Sequence, residues 1–314
     1  MRQLGWFERL SLSKEVTLAV LMGGEDEEDW DLQPEGDAVI VGTQDMLLSR
    51  ALNRGYASNR ARWPIQFGLL NNDCCWVLDE VQLMGPGLRT SAQLDAFRAM
   101  FGSHGPAWTL WMSATLQPEW LATADFRPNS AEFIKLRDED KDEDKARPLA
   151  EVIKASKPLR KAENTCEGAP ALAREILQAH HPESRTLVVV NTVRKAVELY
   201  RCLEKAKKEA DAKAEIILLH SRFRPPDRQT KTDALLAKPG PYGTIVVSTQ
   251  VVEAGVDVSA MAMFTELAPW SSLVQRFGRC NRRGEYKNGE AAVFWIDIEK
   301  GERKRSSTLR AERH

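Results

Sequence analysis

The 314-residue chain contains no run of about 18 apolar residues, so it offers no segment for a membrane-spanning helix. Its opening, MRQLGWFERLSLSKEV, is too charged to read as a signal peptide. Cysteine is sparse: Cys74, Cys75, Cys166, Cys202 and Cys280 include no C-x-x-C pair, which argues against a thiolate zinc site. These absences make a cytoplasmic protein the expectation. Nor is there an excess of one charge. The formal net charge is −1, so any nucleic-acid binding has to come from a local basic surface.

What is present suits a globular protein of about two domains. Hydrophobic residues make up 43% and charged residues 28%, which excludes a disordered chain. Short β-branched apolar runs recur: DAVIVGT (37–43), CCWVLDE (74–80), WTLWMSAT (108–115), TLVVVNT (186–192), EIILLHS (215–221), TIVVST (244–249) and AAVFWID (291–297). Without polar alternation, such runs predict parallel strands covered on both faces. Between them, TSAQLDAFRAMFG and TVRKAVELYRCLEKAKKEA carry helical spacing. The order is βαβα, hence an α/β fold. The run RDEDKDEDKARP (137–148) holds no large apolar residue and reads as a solvated linker. It divides the chain into a first domain over 1–136, a linker over 137–169, a second domain over 170–298 and a basic tail over 299–314.

Ligands of open α/β sheets bind beyond the carboxyl ends of the strands, and here those ends are rich in reactive side chains. Asp79 and Glu80 leave an apolar strand, where an aspartate can hold Mg²⁺ on a nucleoside triphosphate and its neighbour can activate water; a simple helix cap is the plainer alternative. Ser113 and Thr115 end the next strand. Gly42 and Thr43 precede a helix whose amides suit a phosphate, with an ordinary capped helix start equally good. In VVSTQVVEAGVDVS (246–259), Gly255 allows a close backbone approach and Asp257 can accept from a ribose or an arginine; the alternative is a strand–loop–strand connection. In QRFGRCNRRG (275–284), a helix started near Pro269, Ser271 and Ser272 and stopped at Gly284 places Gln275, Arg279 and Arg282 on one face, with Arg276 partly away. Gly278 inside that helix costs about 1 kcal/mol relative to alanine, which predicts close packing against another backbone.

In order, these segments resemble the motor core of superfamily-two helicases: VLDEVQ is similar to motif II, SAT to motif III, STQVVEAGVDVS to motif V and QRFGRCNRR to motif VI. The wording VIVGTQDMLLSRAL, LLNNDCCWVLDEVQLMG, LLHSRFRPPDR and STQVVEAGVDVS resembles more closely the helicase of type I CRISPR-Cas systems, over roughly residues 20 to 297. The resemblance implies two RecA-like parallel-sheet domains in tandem, ATP and Mg²⁺ as cofactors, and ATP-driven movement along single-stranded DNA in antiviral defence. It implies as partners an RNA-guided surveillance complex and an HD nuclease, carried either in an extension of the protein or in a separate chain, and no membrane. It gives Asp79 the metal, Glu80 the attacking water and Gln82 the γ-phosphate. Ser113 and Thr115 couple hydrolysis to strand movement. Arg279 and Arg282 become arginine fingers from the second domain across a cleft, with Gln275, Gly255 and Asp257 on the nucleotide side. Thr43, His220, Ser221 and Thr249 line the DNA backbone.

Two departures qualify that picture. No G-x-x-x-x-G-K-[ST] loop occurs, and Gly23 and Gly24 lack the following lysine, so the first domain is expected to be incomplete at its N-terminus. None of the five histidines, His104, His180, His181, His220 and His314, is followed by aspartate, so no HD-type nuclease is encoded. Two other functions stay open. One is a nuclease-free, ATPase-deficient module that binds DNA or the surveillance complex. The other is a general superfamily-two helicase of repair or RNA metabolism.

Overall fold

A computed structural model describes residues 16–22, 25–26, 28–56, 58–113, 116–129, 132–135, 147–253, 256–287 and 289–298. The chain divides into two compact units between Ile134 and Lys135.

In the first unit, β1 (Thr17–Met22) pairs in parallel with β3 (Ala38–Gly42) and antiparallel with the two-residue β2 (Glu25–Asp26). A separate parallel pair joins β4 (Cys74–Leu78) to β5 (Ala107–Trp111). Among the described residues, three α-helices accompany them: α1 (Gln44–Ala51), α2 (Trp63–Asn71) and α3 (Pro86–Phe101). Ala19 and Leu21 of β1 and Trp76 and Leu78 of β4 point into one core with Met46, Leu48, Leu88 and Leu94. Buried Asp31 accepts from both Arg62 and Gln66, tying α2 to a segment about thirty residues upstream.

The other face of these strands is different. Leu18 and Val41 are exposed on β1 and β3, and Val77, Trp108 and Leu110 are 57, 67 and 45% exposed on β4 and β5. The expectation of a sheet covered on both faces therefore fails for this unit. Apolar side chains alternate between a packed face and a bare one, which a run of uniform hydrophobicity cannot reveal. Among the described residues, no strand pairs with the outer edge of β5.

The second unit meets the expectation. Among the described residues its six strands are β6 (Leu159–Lys161), β7 (Arg185–Val189), β8 (Glu215–Leu219), β9 (Thr244–Ser248), β10 (Ala262–Glu266) and β11 (Ala292–Ile296). They form one parallel sheet in the order β6-β11-β10-β7-β9-β8. Every residue of β7, β9 and β10 is buried. Alternate residues feed two cores: Val188, Val190, Ile245 and Phe264 pack with Leu172, Leu199 and Leu203, whereas Leu187, Val189, Val246 and Met263 pack with Leu235. The covering helices are α5 (Ala169–Gln178), α6 (Val193–Glu209) and α7 (Pro225–Leu236); α4 (Arg147–Lys154) precedes β6 and α8 (Trp270–Phe277) follows β10. Each fully buried leucine of these faces contributes about 1.5–3 kcal/mol.

The acidic run 137–146 and the tail 299–314 lie outside the described residues. Residues 147–169, placed in a linker by composition, contain α4 and β6, and β6 extends the sheet by pairing with β11.

Candidate nucleotide and nucleic-acid site

At the end of β4 the chain turns sharply. Glu80 adopts φ 51°, a left-handed conformation that costs a side-chain-bearing residue roughly 1–2 kcal/mol. The turn lets Asp79 Oδ1 accept the Glu80 backbone N–H at 2.9 Å. It also aims Glu80 back at Gln82, whose Nε2 donates to Glu80 Oε2 at 2.5 Å. Gln82 Oε1 in turn accepts from Ser113 Oγ at 2.5 Å. Register explains the meeting: Leu78 pairs with Trp111, and Met112 N–H donates to Leu78 carbonyl, so the residues beyond both strand ends lie side by side. The structure thus joins Asp79, Glu80, Gln82 and Ser113 into one chain of contacts. Thr115 lies outside the described residues, as do Gly23 and Gly24.

Gly42 and Thr43 lead from β3 into α1. Thr43 caps α1, its hydroxyl accepting from Met46 N–H at 3.5 Å. A Cβ on Gly42 would stand 2.8 Å from the Leu21 carbonyl, so close strand approach requires glycine there.

In the second unit, Leu219 pairs with Ser248, which sets His220 beside Thr249 at the carboxyl edge. Both are buried, whereas Ser221 is exposed. The His220 ring stacks on Phe223 at 4.2 Å, and the Lys231 ammonium stands 4.8 Å from the Phe223 ring. Burial, with the charges of Arg222 and Lys231, holds His220 below the ordinary histidine value despite an opposing backbone hydrogen bond.

The arginine-rich segment departs most from expectation. The helix ends at Phe277, not Gly284, and Gly278 is its C-cap at φ −63°. Lys157 Nζ donates to the carbonyls of Phe277 and Cys280, at 3.3 and 3.1 Å, and Cys280 bridges to Ala260. Gln275, Arg279 and Arg282 therefore share no helix face. Nor does Gly278 pack tightly on another segment: a Cβ there would meet only the Gln275 and Val274 carbonyls, at 3.3 and 3.4 Å.

Arg276, expected to face partly away, is instead 1% exposed. Its Nε donates to Glu253 Oε1 at 2.8 Å, Nη1 to Thr265 Oγ1 and Glu266 carbonyl, and Nη2 to Asn191 Oδ1. Glu266 also accepts from Asn191 N–H at 2.7 Å and from Lys195 Nζ at 2.6 Å. Arg279 is buried as well, and its Nη2 donates to the Glu253 carbonyl at 2.8 Å. Two arginines thus hold one glutamate, Arg276 by its carboxylate and Arg279 by its backbone.

Arg282 is outside this core. It and Arg283 donate to Asp257 at 2.9 and 3.1 Å, all three largely in solvent. The Arg282 hydrogen bond, with the charges of both arginines, holds the Asp257 carboxyl below its usual value. Gln275 is half-buried, and Gly255 lies outside the described residues.

Residues 182–285 match the family model described as CRISPR-associated nuclease/helicase Cas3, C-terminal. Over those residues the chain is similar to the C-terminal region of Cas3. A Cas3 nuclease/helicase of Haloferax volcanii is 42% identical over 84 residues, 26% of this chain and 9% of that protein. The Cas3 helicase of Thermoproteus tenax is 32% identical over 112 residues, 35% of this chain and 18% of its own. The Cas3 match thus spans less than a fifth of either relative. The crystal structure of T. fusca Cas3 superposes with a TM-score of 0.66 at 20% identity, covering 96% of this chain and 39% of that one. The Mycobacterium smegmatis helicase Lhr, solved with single-stranded DNA and AMP-PNP, gives 0.54 at 17% identity, over 96% of this chain and 38% of its own. These likenesses show a shared fold, α/β units with parallel sheets, over nearly the whole chain.

Arg276, Glu253, Glu266, Asn191, Lys195 and Lys157 were not singled out in the sequence as site residues. The available signal was position: Asn191, Glu253 and Glu266 each follow or end an apolar strand, where ionisable groups need partners.

Proposed function

We propose that this chain supplies the motor part of a CRISPR-associated, ATP-dependent DNA helicase that moves along single-stranded DNA in antiviral defence. The observation that carries the reading is the linked set Asp79, Glu80, Gln82 and Ser113 at adjacent strand ends. T. fusca Cas3 has been solved with AMPPNP, ATP and ADP, which supports nucleotide as the ligand.

The residues fit a magnesium nucleotide. Asp79 is exposed with one carboxylate oxygen occupied by the Glu80 amide, leaving the other for a hard cation, and Mg²⁺ needs only one or two protein carboxylates beside the phosphates. The ion, when bound, neutralises charge developing on the phosphates. Glu80 orients and deprotonates the attacking water. Gln82, held between Glu80 and Ser113, passes the state of the terminal phosphate to the end of β5. In the second unit, Arg282, in a solvent-exposed pair with Asp257, is available to phosphate charge, and Arg279 and Gln275 are further nucleotide-side groups of that unit. His220, Ser221, Thr249 and Thr43 track the DNA backbone, with the surveillance complex delivering the strand and a separate HD nuclease cutting it.

The phosphate loop is to be supplied from outside these 314 residues. Its absence from the sequence and the bare face of Val77, Trp108 and Leu110 both support this, because a parallel sheet is normally covered on both sides. A second reading, a DNA-binding module without ATPase activity, is favoured by the same absence and by the basic, aromatic cluster of His220, Phe223 and Lys231. Reading the DNA upstream of Met1 separates them. An in-frame G-x-x-x-x-G-K-[ST], and DNA-stimulated ATP hydrolysis by the extended protein, is the expected result. A nearby stop with no such loop beyond it would sink the motor reading and leave the binding module.

A further inference from the structure

We propose that Trp270 is a stacking platform for a nucleobase at the carboxyl edge of the six-stranded sheet. The inference rests on the nucleic-acid and nucleotide reading above and adds a contact to a base, where the groups named there engage backbone and phosphate.

Trp270 is the first residue of α8 and is 71% exposed, although it is the largest side chain in its neighbourhood. The rest of the helix packs ordinarily: Leu273 and Arg276 are buried and Phe277 is half-buried. Phe277 stands nearly perpendicular to the indole, at 6.4 Å and 80°, and the indole stays largely exposed beside it. Pro269, with φ −51°, fixes the approach of the chain from β10.

Strand order gives the indole its setting. β10, β7, β9 and β8 are consecutive, so the carboxyl edge runs from Trp270 past Asn191 and Thr192 to Thr249 and Gln250, then to Ser221 and Arg222. At about 4.8 Å per strand, three spacings or roughly 14 Å separate its ends. Along that row the indole is the one large exposed apolar group among the described residues. The unit's other exposed large apolar side chains, Val152, Ile153, Leu159, Leu236 and Tyr242, lie on α4, at the start of β6, at the end of α7 and ahead of β9.

A protein partner would be read by a contiguous apolar patch, and this row has none. A lone rigid ring flanked by hydroxyls and an amide suits a ligand with a flat π face and polar edges. Nucleobases have that chemistry, and stacking on an aromatic side chain tolerates any base. The base can belong to a DNA strand or to a free nucleotide.

The test uses the purified 314-residue chain, W270A and W270F, with three probes: an oligo-dT strand, a strand of equal length bearing abasic spacers, and ATP. W270A is expected to weaken dT binding by roughly 5- to 100-fold, W270F to retain most of it, and both to bind the abasic strand as the unaltered chain does. The salt dependence should stay constant, because no phosphate contact is lost. A loss confined to ATP would support the platform and assign the base to the free nucleotide. Unchanged affinity of W270A for both dT and ATP, with an unchanged unfolding midpoint, would overturn the platform alone. Failure of the unaltered chain to bind either probe would overturn the platform together with the reading it rests on.

Discussion

Arg276 and Glu253 form a buried ion pair at 2.8 Å, with the arginine 1% exposed. Around it, Thr265, Glu266 and Asn191 accept the remaining guanidinium donors. Removing the arginine strands the Glu253 carboxylate in the interior. R276A is therefore expected to lower unfolding free energy by about 3–5 kcal/mol in urea titrations. R276K keeps the charge but not the planar fork, and should fall between the two. A change under about 1 kcal/mol for R276A would contradict the clamp.

Arg282 and Arg279 should separate by type of defect. The Arg282–Asp257 pair is solvent-exposed, and such pairs contribute about 0–1 kcal/mol. R282A should leave the unfolding midpoint almost unchanged while lowering ATP turnover of a form carrying the phosphate loop by 10²-fold or more. R279A should lower both, since Arg279 is buried and holds the Glu253 carbonyl. Equal stability losses for the two variants would remove the distinction.

The bare face of the first unit predicts poor solution behaviour. Replacing Val77, Trp108 and Leu110 by threonine should reduce dye binding by exposed apolar surface and slow aggregation in light scattering. Unfolding free energy should change little, because these side chains cover nothing. A loss of more than about 2 kcal/mol would mean that they are packed in solution.

His180 gives a pH prediction. Its ring contacts Thr186 Oγ1 at 2.8 Å and the Tyr242 carbonyl at 3.0 Å, and burial holds its pKa below the ordinary histidine value. The unfolded chain then binds the proton more readily than the folded one. The contribution is complete above about pH 6.5 and is lost as pH falls from there through the folded value. H180Q should therefore flatten the decline in unfolding midpoint between pH 7.5 and 5.5. An equally steep decline in H180Q would reject the assignment.

Seven apolar runs are strands in the structure; uniform β-branched hydrophobicity matches full cover in β7 and β9, whereas β4 and β5 keep one bare face that the same pattern does not reveal. β10 was not legible. Its residues, AMFTE, mix a threonine and a glutamate into the centre of the sheet, and those polar groups are tolerated because Arg276, Asn191 and Lys195 meet them. β6 was hidden by charge, since all three of its residues are exposed at the sheet's edge. At the site, Asp79, Glu80 and Ser113 stand out at strand ends and Gln82 through the family resemblance; their mutual contacts come from the structure. The arginines were legible as residues but not as geometry: helical periodicity was extended through Arg282, while Lys157 and the Ala260–Cys280 bridge end the helix at Phe277. Tertiary partners of this kind leave no periodic mark in a sequence.

The most direct test of the account is DNA-stimulated ATP hydrolysis, measured on the 314-residue chain and on the same chain preceded by a strand–loop–helix segment bearing G-x-x-x-x-G-K-[ST]. No stimulated hydrolysis is expected of the chain alone, and the extended protein is expected to show turnover that E80Q abolishes. Normal DNA-stimulated hydrolysis by the unextended chain, or turnover by the extended protein that survives E80Q, would contradict it.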